Sequence, residues 1–248
     1  MPGLMTGSKR MDMLDLANSG RSIQLYSYDE DTQREYIQTL AHMYKHAKVG
    51  DPQFIEICQG RAEPCAKRNE LFSTCGEFAH FLLDRMGYRG KILNRDIISV
   101  DPDTGAEHLL QKWKSQKNIT YLFYRGRKEG AFVEYQLSKN KSKRPSTGDI
   151  IYVSNGPPNT EHVFYFDGTD RGGFSYEQEL WATIDGGQGG RKTQHIKEGL
   201  KAFDQRTGRV YKWDRDNLRK VGKGRKVVGW LNPILLEFTA PAHLRSVA

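Results

Sequence analysis

Apolar and polar positions change period along the chain, first recurring every three or four residues and later alternating. In the stretch Ser73-Thr74-Cys75-Gly76-Glu77-Phe78-Ala79-His80-Phe81-Leu82-Leu83-Asp84-Arg85-Met86-Gly87, the apolar Phe78, Phe81, Leu82, Leu83 and Met86 share one helical face. The spacing predicts a helix with Ser73 or Thr74 capping its start and Gly87 supplying the stop. A second helix is predicted from Asp31 to about Ala47, with Tyr36, Ile37, Leu40, Met43 and Tyr44 along one stripe, packed beside the first. Residues 1–22 show no period and read as a loose arm preceding a single domain over 23–248.

Strand patterning dominates the second half. Thr147-Gly148 turns into Asp149-Ile150-Ile151-Tyr152-Val153, and Glu161-His162-Val163-Phe164-Tyr165-Phe166-Asp167-Gly168 follows the turn-rich Asn155–Asn159, which predicts an antiparallel hairpin. Leu180–Asp185, Arg209–Trp213 and Lys226–Leu231 are further strand candidates. Between the two halves, residues 91–144 read as an insertion. It holds a turn at 101–105, a helix around Glu107–Trp113, strand-like runs at Ile119–Tyr124 and Ala131–Tyr135, and a charged loop over Ser138–Pro145. Helices first and sheet second is an α+β order.

The pattern also places chemistry. Cys75 falls in the first turn of its helix, where unpaired backbone N–H groups and the positive end of the dipole favour a thiolate. His162 opens a strand and Asp185 closes the next, and neighbouring antiparallel strands bring such residues side by side. A thiol nucleophile needs a base to ionise it and an acid to protonate the leaving group. Histidine serves both near neutral pH, provided a carboxylate fixes its tautomer. Cys75, His162 and Asp185 supply that set, and the backbone N–H of Cys75 is a candidate oxyanion donor. Taken singly, each has a plainer reading: a core cysteine, a strand-end histidine, a turn aspartate.

Around these residues the chain resembles the papain-like cysteine hydrolases of the NlpC type and their CHAP amidase relatives. The likeness rests on Ser73–Phe78 at a helix start, Thr147–Tyr152 before the histidine strand, and His162–Phe166. The resemblance implies a papain-like α+β fold, with N-terminal helices, the cysteine at a helix start, packed on a C-terminal antiparallel sheet. It implies a Cys75–His162 dyad completed by a polar residue on the following strand, for which Asp185 comes first and Gln188 second. It further implies an amidase or endopeptidase acting on bacterial peptidoglycan, of the kind injected into rival bacteria by a type VI secretion system. No cofactor or metal enters that chemistry.

Composition adjusts this picture. Among 248 residues there are 38 Lys and Arg against 30 Asp and Glu, and residues 191–226 alone carry 13 against 4, so the whole basic excess sits there. Such a window suits an anionic partner or a solvated surface, and a peptidoglycan peptide, an acidic immunity or inhibitor protein and a secretion component are the partners considered. Nucleic acid is disfavoured for want of any recognition motif. No apolar run approaches the roughly 18 residues needed to span a bilayer, and Met1–Arg10 lacks an apolar signal core, so the expectation is cytoplasmic synthesis, leaderless export and action in a recipient periplasm.

Three cysteines, at 58, 65 and 75, fit a reducing compartment, and Cys58 with Cys65 reads as structural or incidental. His42 and His46 have helical metal-ligand spacing, but Met43 stands where a zinc protease needs glutamate, so a solvated helix face is the better reading. Gly186–Thr193 approaches a P-loop but has Arg191 where glycine is required, and the glycines are expected to pass backbone close to the site or to form a rim loop. Two other functions use the same residues differently: a cysteine protease or deamidase acting on a protein in a target cell, and a non-enzymatic basic binding module in which Cys75 is core.

Overall fold

The computed structural model describes residues 29–57, 74–86, 98–100, 107–109, 123, 126–127, 129–140, 142–155, 162–170, 178–188 and 195–236. Helix α1 is Glu30–Tyr44, α2 Pro52–Ile57, α3 Thr74–Arg85 and α4 Leu137–Asn140. The strands are β1 Ile98–Val100, β2 Glu107–Leu109, β3 Phe132–Glu134, β4 Ile150–Ser154, β5 His162–Asp170, β6 Gln178–Gln188, β7 His195–Asp204, β8 Arg209–Asp214 and β9 Arg219–Leu231.

These strands close into a barrel. The order is β3-β9-β4-β5-β6-β7-β8, and β8 returns to pair with β9, so six antiparallel strands form a ring and β3 hangs on its outside. This overturns the expected papain-like α+β arrangement of helices packed on an open sheet: the molecule is mostly a closed antiparallel six-strand barrel with few helices. Two elements account for the difference. Strand β7 hides in the basic window, where exposed Lys197 and Glu198 mask the buried Ile196, Ala202 and Phe203. Strand β9 begins seven residues before the apolar Lys226–Leu231 run and uses that polar half to pair with β8. Without them the remaining strands cannot form a ring.

Alternation along each strand fills the inside and covers the outside. Phe164, Phe166, Trp181, Phe203, Val227 and Trp230 belong to one interior cluster, with Trp181 and Phe203 stacked at 4.4 Å. On the other face Tyr165 and Ile184 join α1 and α3 through Tyr36, Leu40, Phe78 and Leu82. Each such buried side chain contributes about 1.5 to 3 kcal/mol of transfer free energy, which is why these two helices sit where they do. Asp29 caps α1 by accepting from Thr32 N at 2.9 Å. Along the same helix, Gln38 and His42 both bond the Asp167 carboxylate of β5, so His42 is a clamp between layers.

The hairpin β4–β5 forms as expected, with Ile150 opposite Tyr165 and Val153 opposite His162. In the 91–144 segment, Glu107–Leu109 is a strand paired with β1 rather than the start of a helix, and the head of the expected charged loop is helix α4. Strand β3 pairs with β9 and places Ala131 and Phe132 in the core, which binds this part of the segment to the barrel. Residues 1–28, the turn at 101–105, Cys58, Cys65 and most of Ile119–Tyr124 lie outside the described residues.

Asp149, just before β4, accepts from Ser146 N at 2.9 Å and from Arg34 Nη1 of α1 at 3.2 Å. Burial nonetheless raises its carboxyl to about 6, against the pull of these donors. A folded-state value above the unfolded one favours the fold most below about pH 4, and that contribution is lost as pH rises through about 6. Urea titrations should therefore show the stability of wild type relative to Asp149→Asn falling by about 2 kcal/mol from pH 4 to pH 7; a difference that stays flat across that range would refute the assignment.

Candidate active site

The start of α3 lies against the far end of β6, and glycine makes the approach possible. A Cβ added to Gly186 would stand 2.5 Å from the Thr74 carbonyl oxygen and 2.9 Å from Cys75 Cα, so only a residue without a side chain fits. Gly187, at φ 80°, continues the contact. The expectation that these glycines pass backbone close to Cys75 matches this packing.

His162 begins β5 and its Nε2 lies 2.8 Å from Asp185 Oδ1 on β6. The Cys75 side chain acts on the same imidazole, favouring its protonated form through charge and hydrogen bonding. With Nε2 committed to the carboxylate, Nδ1 is the nitrogen left for sulfur. Cys75 itself is buried, at 6% exposure, in the apolar cluster that holds Ala79, Leu83 and Val163. The structure thus brings Cys75, His162 and Asp185 together. Gln188 ends β6, where its backbone pairs with His195, and Asp185 carries the bond to His162.

Two residues complete the group without having been read from the sequence. Lys201 Nζ reaches Asp185 Oδ1 at 2.9 Å and lies 4.9 Å from the centre of the Phe164 ring. Thr183 donates its hydroxyl to Asp185 Oδ2 at 2.7 Å. Thr183 was findable, since it stands two residues before Asp185 and shares its strand face. Lys201 was not, because its strand was unread.

Charges in this group are set by competition. Burial disfavours the Asp185 carboxylate, but Lys201 first, and then His162 and Thr183, hold it well below the usual carboxylate range. Burial also disfavours an imidazolium, and here the influence of Cys75 and the Asp185 bond outweigh it, lifting His162 to about 9. The protonated histidine therefore stabilises the fold fully below about pH 6.5, an effect lost as pH rises through about 9. Such an imidazolium, beside a sulfur at a helix start, has the charge arrangement of an activated thiol.

A groove of about 660 Å³ lined by Arg144, Thr147, Phe166 and Glu179 opens at the other end of the barrel. None of the three central residues lines it, so it takes no part in this arrangement. Among the described residues no helix is long and apolar enough to cross a membrane. Comparison with family models, with curated proteins and with solved structures gives no match for this chain.

Replacing Gly186 by alanine should push β6 away from the start of α3 and misplace sulfur against imidazole. Alkylation of Cys75 by iodoacetamide at pH 7, followed by mass spectrometry of its peptide, is expected to slow roughly 10- to 100-fold with the circular dichroism spectrum retained. An unchanged rate would show that the contact does not position the thiol.

Proposed function

We propose that the chain is a cysteine hydrolase of amide bonds. The observation that carries the reading is that the His162 imidazole, 2.8 Å from the Asp185 carboxylate, is also acted on by the Cys75 side chain. In the first half-reaction the Cys75 sulfur attacks the substrate carbonyl carbon, forming a C–S bond while His162 holds the thiol proton. Collapse of the tetrahedral adduct breaks the C–N bond, and His162 passes its proton to the departing nitrogen. Water then attacks the thioester, giving a proton to His162, and release of the carboxylic acid returns the thiol. Asp185 keeps the ring oriented throughout and stabilises its cationic form.

The local likeness to NlpC-type hydrolases around Cys75 and His162 supports this chemistry; the architecture lends it no support. By that likeness the substrate is a stem peptide of bacterial peptidoglycan, and the protein is an antibacterial effector acting in a recipient periplasm. The same acyl-enzyme chemistry would serve a deamidase or protease acting on a cytoplasmic protein. Toxicity confined to cytoplasmic expression would favour that second target, and toxicity confined to periplasmic expression the first.

Purified peptidoglycan fragments incubated with wild type should yield new amines detectable by mass spectrometry, and Cys75→Ala should yield none. Digests identical to the untreated control for both proteins would dismiss the cell-wall substrate. The rate should lose its alkaline limb near pH 9, where His162 gives up the proton it donates. In Asp185→Asn that limb should move down by about one pH unit, because the anion supporting the imidazolium is gone while Lys201 remains. A limb that stays put would remove Asp185 from the mechanism.

A further inference from the structure

The chain's positive charge is concentrated in one projecting element. Residues 209–226, which form the β8–β9 hairpin, carry eight Lys and Arg and two Asp, a net of +6 in a chain of +8. The pairing of β9 with β4 ends at Ser154 opposite Lys226, and the pairing of β8 with β7 ends at Lys212 opposite Lys201. Beyond those points β8 and β9 pair only with each other, out to Asp214 opposite Arg219. Because the strands are antiparallel, the tip points to the same barrel end as the start of β5 and the end of β6, which carry His162 and Asp185.

We propose that this hairpin is a docking arm for an anionic substrate, a peptide bearing carboxylates near the bond that Cys75 attacks. The chemistry of that bond rests on the hydrolase reading, whereas the arm rests on its own geometry. Lys212 lies opposite Lys201 across β7–β8, and directly opposed residues share a sheet face. Lys201 is itself 2.9 Å from Asp185, so the strand that holds the base of the arm also contributes to the site. Among the described residues Arg219 and Lys220 have acidic partners, Asp214 and Asp204. Lys212, Arg215, Lys223, Arg225 and Lys226 are exposed and make no ion pair with described residues.

Charge complementarity alone would also fit nucleic acid or a lipid surface, and the side chains argue against both. Stacking of bases needs free aromatic faces. Trp213 is buried, while Tyr211 is covered by Lys220 at 4.9 Å and closed in by Gly224. A lipid surface needs an apolar patch, and the arm exposes only Leu218 at its tip and Val221.

The test compares alkylation of Cys75 by anionic iodoacetate and neutral iodoacetamide, each normalised to free cysteine, with the Cys75 peptide followed by mass spectrometry. Wild type, Lys212→Glu and the double variant Lys223→Glu with Arg225→Glu are measured in low salt. The charge reversals should lower the iodoacetate rate about three- to tenfold, as should about 0.5 M salt in wild type, with the iodoacetamide rate unchanged. A ratio insensitive to both would overturn the arm.

Peptides with Glu beside the scissile bond are then compared with their Gln counterparts. The variants should raise KM for the acidic peptide alone and leave kcat. Equal KM values for the two peptides, or retention on anionic vesicles or single-stranded DNA that the acidic peptide fails to displace, would overturn the assigned ligand. Steered alkylation with no cleavage of any peptide would instead count against the hydrolase reading, so the two failures are distinguishable.

Discussion

A carboxylate taken out of water has to find donors inside the protein, and the site grows outward from those that Asp185 finds. Its Oδ1 receives His162 Nε2 and Lys201 Nζ, and its Oδ2 receives the Thr183 hydroxyl. Each donor comes from a different constraint: His162 from the start of β5, Thr183 from the face alternation of β6, and Lys201 from the neighbouring β7. Removal of any one would leave a buried charge short of a partner, which costs far more than an exposed pair would gain. The imidazole orientation is thus imposed by satisfaction of the carboxylate, and sulfur meets a ring already fixed in place.

The second constraint is steric. Helix α3 delivers Cys75 to that ring only because β6 presents Gly186 where the backbones touch. The same helix is anchored further along by Phe78, Phe81 and Leu82 in the cluster shared with α1 and β5. Its buried face sets the direction of approach and the glycine sets the closeness. Barrel closure then fixes β5, β6 and β7 relative to one another, so that side chains 162, 185 and 201, far apart in sequence, meet.

What could be read from the residues divides along physical lines. Helices α1 and α3 announce themselves because their apolar stripes face a single core, and β4 and β5 because they alternate between turn residues. Cys75 and His162 stand at element starts, where sequence punctuation is strongest, and Asp185 precedes the glycines Gly186 and Gly187. Ring closure was not legible, since it depends on β7 and the outer half of β9, whose solvent-facing charges outweigh the sparse apolar signal. Lys201 was hidden with its strand. The Glu107–Leu109 strand was read as helix because three residues give no period to test, and its pairing with β1 is a tertiary choice.

Strand β9 bonds to β3, β4 and β8 and is the last strand of the ring. The ring is therefore sealed only once β9 has been made, on the order of ten seconds after Cys75 at ordinary elongation rates. Until then the strands carrying the imidazole and carboxylate lack the lateral pairing that sets their relative position, and the thiol has no organised partner. The geometry of the group is thus completed only by the last hairpin of the ring.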